Sequence, residues 1–116
     1  MVTILGDYGG EERVIKVSVL YPNMADSRFD MPYYLTKHIP MVQSKLGAAL
    51  RGTSVEQGLG GVQPGSPPAY VAMGHLLFDS VEAFQQSFEP HADAIVGDIP
   101  NYTNTHPTIQ ISEVKL

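Results

Sequence analysis

Strand, helix and strand patterns occur twice along this chain, on either side of a glycine- and proline-rich connection. In the first set, Ile15, Val17, Val19 and Tyr21 alternate with Lys16 and Ser18, the period of a strand with one oily face. Pro22-Asn23 ends it, and a polar loop from Met24 leads to a helix beginning near Asp30. Leu35, Ile39, Val42 and Leu46 then recur at helical spacing, with Gly47 as a stop. A weaker strand follows over residues 48–57, carried by Leu50, Thr53 and Val55. In the second set, Ala69–Phe78 is an almost unbroken apolar run, as in a central strand covered on both faces. Gly74 within it leaves room for a close neighbour, a packed side chain or a ligand. Asp79 is placed to cap the next helix, with Glu82 three residues on. Val81, Phe84 and Phe88 form its expected buried stripe, Pro90 bends or restarts it, and Gly97 ends it. A last strand over residues 108–114 carries Ile109 and Ile111 on one face.

This order predicts an α+β fold, the ferredoxin-like βαββαβ plait: a four-stranded antiparallel sheet with two helices on one face. The domain spans residues 13–116, preceded at residues 1–12 by a glycine-rich, acidic arm or edge strand. The helices cover one face, yet the third strand is apolar on both. A second copy related by a two-fold axis is the expected cover, giving a homodimer. Sheets packed this way enclose a cavity partly lined by Lys16, Ser18, Gln110 and Ser112.

The stretch Phe29–Pro40 carries the most chemistry. Asp30 is a good N-cap and Pro32 suits a first turn. Tyr34 and His38 lie four residues apart, hence on the same helix face, and Pro40 stops or kinks the helix just after. His38 is the candidate catalytic base; its alternative role is to interact with helix-end carbonyls and the dipole. Tyr34, Tyr70 and His75 are candidate ligand-binding residues. Asp98 reads most simply as a turn or helix-end residue.

Several classes are disfavoured. A formal net charge of −5 with only 7 Lys and Arg argues against nucleic-acid binding. With no cysteine, neither a disulfide framework nor a thiolate nucleophile is possible. The four histidines show no metal-binding spacing, and the loop Gly58–Pro68 lacks the pattern of a dinucleotide fingerprint. No metal or cofactor is therefore expected. No run reaches membrane-spanning length and no signal peptide is evident, so a cytoplasmic protein is expected.

Phe29-Asp30, Tyr33-Tyr34, His38 and Pro40, followed later by Phe78-Asp79-Ser80 and Asp98-Ile99-Pro100-Asn101-Tyr102-Thr103, resemble the EthD family, named for ethyl tert-butyl ether degradation. The similarity runs from about Val14 to Glu113. It implies a dimeric α/β-barrel whose relatives include lactone isomerases, polyketide-tailoring dehydratases and cofactor-free monooxygenases, some with an active-site histidine placed like His38. Three functions fit the sequence. The first is a cofactor-independent enzyme acting on a small hydrophobic metabolite, with His38 as base. The second is a non-catalytic accessory or binding protein of an oxygenase system, and the third a structural dimer with a side-chain-filled cavity.

Overall fold

The alternation of Ile15, Val17, Val19 and Tyr21 with Lys16, Ser18 and Leu20 produces strand β1 (Ile15–Pro22), which runs through the middle of a four-stranded sheet. The structure is a computed structural model and describes residues 14–116; the expected arm at 1–12, and residue 13, lie outside the described residues. Strands β2 (Gly52–Gln57), β3 (Tyr70–Phe78) and β4 (Thr108–Glu113) complete the sheet in the order β2-β3-β1-β4, all neighbours antiparallel. This is the expected ferredoxin-like plait. The second strand is shorter than expected, because residues 47–49 close the preceding helix with a tight 3₁₀ turn.

The first helical region comprises α1 (Met31–Tyr33), a π-turn over Tyr34–His38 and α2 (Ile39–Leu46). Asp30 caps it: the Tyr33 backbone N–H donates to the Asp30 carboxylate at 3.0 Å. Pro40 does not stop this helix. Its missing N–H and bulky ring would break an ordinary α ladder. Just before it, however, the Ile39 N–H reaches back five residues to the Tyr34 carbonyl. The ladder is wider there, and the proline enters in the first turn of α2. π-Turns concentrate at functional sites, and this one turns both Tyr34 and His38 inward.

The second region comprises α3 (Val81–Phe88), a 3₁₀ turn at Pro90 and α4 (Ala92–Gly97). Ser80, not Asp79, is the N-cap, accepting from the Ala83 N–H at 2.9 Å. Asp79 points outward instead, 3.5 Å from Arg51.

Ile15, Val17, Val42, Leu46, Phe78 and Ile95 form one buried cluster between sheet and helices. Phe84 and Phe88 pack against it half-buried rather than enclosed. Tyr21, Tyr34, Ile39, Ala72 and Tyr102 form a second. The other face of the sheet carries Lys16, Ser18, Leu20, Met73, His75 and Leu77. In this single chain that face is half-buried, so β3 is covered on one side only. Edge strand β4 is barely covered: Ile109 and Ile111, on the helix side, remain 56% and 42% exposed.

Candidate functional site

Two distant stretches are stitched together at one end of the helical layer. Phe29 and Thr103 form an antiparallel bridge, the Asp30 N–H donates to the Tyr102 carbonyl at 2.8 Å, and the Thr103 hydroxyl donates to the Arg28 carbonyl at 2.7 Å. These bonds set the segment 98–103 against the π-turn. His38 and Asp98, 60 residues apart, meet as a result.

His38 is 4% exposed. Its Nδ1 lies 2.9 Å from Asp98 Oδ2. The other carboxylate oxygen, Oδ1, accepts from the Tyr33 hydroxyl at 2.7 Å and the Asn101 side-chain amide at 2.9 Å. Burial alone would raise the Asp98 pKa, but the hydrogen bonds from Asn101, His38 and Tyr33 overcome this and hold it below its ordinary value. Asp98 is therefore an ionised, acceptor-only partner, which assigns the proton of neutral His38 to Nδ1 and leaves a lone pair on Nε2. For His38, loss of solvent lowers the pKa below 6.5 and outweighs the opposing hydrogen bond and charge of Asp98. Near neutral pH the ring is thus an uncharged base, oriented from behind by a carboxylate.

Aromatic rings surround it. Tyr34 stacks on the imidazole, centroids 5.5 Å apart and planes 12° apart, and Tyr102 tilts against it at 4.6 Å. The Tyr102 hydroxyl lies 3.4 Å from Nε2 and 2.7 Å from the Tyr21 hydroxyl. Burial pushes the hydroxyl pKa values of Tyr21, Tyr34 and Tyr102 up, so all three stay protonated. Gly74 permits the packing, since a Cβ there would overlap the Tyr34 hydroxyl. Of the two neighbours expected for that glycine, the structure supplies the packed side chain.

His38, Tyr34, Tyr21 and Tyr102 line one end of a cavity of about 110 Å³ between sheet and helices. Val17, Leu76, Phe84 and Phe88 line its apolar body, and half-exposed Val96 and Ile109 stand at its rim. The arrangement places an uncharged imidazole among the residues lining a mainly apolar cavity.

Of the candidate residues, His38 and Tyr34 come together here. Neither Tyr70 nor His75 is among the residues lining this cavity. Tyr70 opens β3 opposite Pro22, half-buried. His75 is on the open face of the sheet, because the strand's two-residue period puts it opposite to Gly74. There its Nδ1 lies 2.8 Å from the Ser18 hydroxyl and its Nε2 3.1 Å from Glu56. Asp98 ends α4, as a helix-end residue, and is also the carboxylate behind His38. Sequence reasoning did not assign Tyr33, Tyr102 or Tyr21 to this constellation. The signal for the first two was the pair of quoted blocks, 29–40 and 98–103, whose meeting no local pattern reveals. Among the described residues, no group of three or more His, Asp or Glu side chains is placed to hold a metal ion.

Residues 22–106 match the family described as EthD domain. The chain belongs to the EthD family. The crystal structure of an EthD-like protein from Ralstonia eutropha JMP134 is 46% identical and superposes with a TM-score of 0.86, over 90% of this chain and 95% of that one. An ethyl tert-butyl ether degradation family protein from Bacillus halodurans C-125 is 21% identical, with a TM-score of 0.66 over 88% and 99% of the two chains. A dimeric ferredoxin-like protein of unknown function from Thermobifida fusca YX shares the fold at 16% identity, with a TM-score of 0.53 over 91% and 93%. No curated protein matches this EthD chain. The resemblance carried by the two blocks is therefore a family membership, and both blocks meet at one site in this EthD fold.

Proposed function

We propose that this EthD protein is a small cytoplasmic enzyme that binds a hydrophobic metabolite between sheet and helices and acts on it without a cofactor. His38 is the general base. One observation carries this reading: His38 sets Nδ1 against the Asp98 carboxylate, which leaves Nε2 as the acceptor nitrogen, and His38 is among the residues lining an apolar cavity. A histidine kept only for packing or for a helix end needs neither the carboxylate behind it nor the cavity in front. Tyr34 holds the ring by stacking and Asp98 fixes its tautomer.

The working unit in this reading is a homodimer, open sheet face against open sheet face. Leu20, Met73 and Leu77 on that face support it, as does the dimeric state in which the Thermobifida fusca fold relative is described. An accessory binding role is the alternative, and it differs in one respect: the ligand would be held without turnover.

His38→Gln tests the base. Glutamine can still hydrogen-bond Asp98 but has no basic nitrogen. Screening small cyclic ketones, lactones and ethers by thermal shift identifies a ligand. The variant is expected to retain its fold and bind that ligand while losing about 10²–10⁴-fold in turnover, the usual contribution of a general base. Binding by both forms with turnover by neither would establish the accessory role.

A further inference from the structure

One buried hydroxyl in the site has a use that the base alone does not explain. We propose that Tyr102 is the acid partner of His38, and that the site takes an enolisable carbonyl compound with a compact apolar body. The inference rests on the reading of His38 as a base.

Two groups of complementary character share one end of the cavity. His38 Nε2 offers a lone pair. The Tyr102 hydroxyl, 3.4 Å away, offers a proton. That separation is longer than the ~2.7–2.9 Å of a committed hydrogen bond, so the two groups are held side by side without saturating each other. Tyr21 makes the orientation productive. Its hydroxyl sits 2.7 Å from that of Tyr102, and if it donates there, the Tyr102 proton is free to point at Nε2 or at a bound oxygen. The rings leave that phenol little freedom, since Tyr102 packs against His38, Tyr34 and Phe29 at centroid distances of 4.6, 5.0 and 5.4 Å.

A base and a hydrogen-bond donor a few ångströms apart match a carbon acid, in which the carbon that loses the proton and the oxygen that gathers charge are separated by two bonds. The Cα–H bond breaks and its proton goes to Nε2. The electron pair forms a carbon–carbon double bond, and the carbonyl oxygen takes up the charge against the Tyr102 O–H. The imidazolium then returns the proton, to the same carbon or, in a conjugated substrate, to the far end of the π system. Atoms and electrons balance without a co-reactant. Only the carbonyl end meets polar groups; Val17, Leu76, Phe84 and Phe88 receive the rest, and Ile109 at the rim allows a longer body to emerge over β4.

The test uses the full chain and 2-indanone, a compact cyclic ketone with acidic α-hydrogens. Exchange of those hydrogens in D₂O is followed by proton NMR and corrected for buffer. Wild type is expected to accelerate the exchange, His38→Gln to lose the acceleration, and Tyr102→Phe to lose about 10²-fold, as when an oxyanion donor is removed. Should the single phenylalanine variant fail to fold, Tyr21→Phe/Tyr102→Phe removes both hydroxyls of that pair together. Exchange that needs His38 but not Tyr102 overturns the acid assignment and leaves the base intact. No exchange, with chemical-shift changes showing the ketone in the cavity, overturns the enolisation chemistry but not ligand binding. No exchange and no binding overturns the carbonyl class, and with it this inference.

Discussion

His38 is balanced between two opposing influences, and the balance decides what it can do. Burial favours the neutral ring; Asp98 favours the cation; burial is the larger. A general base near neutral pH needs this order, because a stronger pull from the carboxylate would leave the ring protonated and useless as an acceptor. The same balance has a consequence for stability. The folded pKa lies below the ordinary 6.5, so below that pH the unfolded chain binds the proton more readily than the native one. Stability is therefore fully present above pH 6.5 and is lost as pH falls through the lowered folded value. Thermal midpoints recorded across this range should fall on the acid side in wild type and fall less in His38→Gln. Equal acid-side slopes would mean that the ring is not held neutral. Asp98, with its own pKa below 3.8, adds a loss only at still lower pH.

At the scale of elements, the site depends on a close approach between β3 and the π-turn. Gly74 and Tyr34 meet where no Cβ fits, so Gly74→Ala should cost about 1–3 kcal/mol, the usual penalty of overpacking. Adding Tyr34→Phe removes the hydroxyl that is in the way, and urea unfolding should then show part of that loss recovered. A neutral Gly74→Ala would mean that the ring sits elsewhere. The sequence revealed the strands here well, because the period of two is local: Val17 and Ser18 fall on opposite faces in the pattern and in the fold. It revealed the helix start at Asp30 for the same reason. It did not reveal the π-turn, since Pro40 reads as a break and only the widened ladder before it shows otherwise. Nor did it distinguish Ser80 from Asp79 as the cap, as either side chain suits that role. The His38–Asp98 contact was invisible because it spans 60 residues and is made by the backbone bridge between Phe29 and Thr103.

At the scale of the molecule, the two faces of the sheet do different work. One is covered by helices except along β4 and contains the aromatic site. The other presents Leu20, Met73 and Leu77 around the polar row Glu56, His75 and Ser18. Proteins rarely leave such a central apolar surface to water. In the proposed assembly, sedimentation at micromolar concentration should give about twice 12.6 kDa, and Leu77→Glu should yield monomer. A wild-type monomer would contradict the face-to-face pairing, yet it would leave the His38 cavity untouched, because that cavity lies within one chain.

The proposed chemistry rests most directly on which nitrogen of His38 holds the proton. Nitrogen-15 NMR of the histidine ring across pH answers that in the unliganded protein. The account predicts a neutral ring at pH 7 with hydrogen on Nδ1 and none on Nε2, and a titration midpoint below 6.5. A ring protonated on Nε2, or one still charged at pH 7, would contradict it.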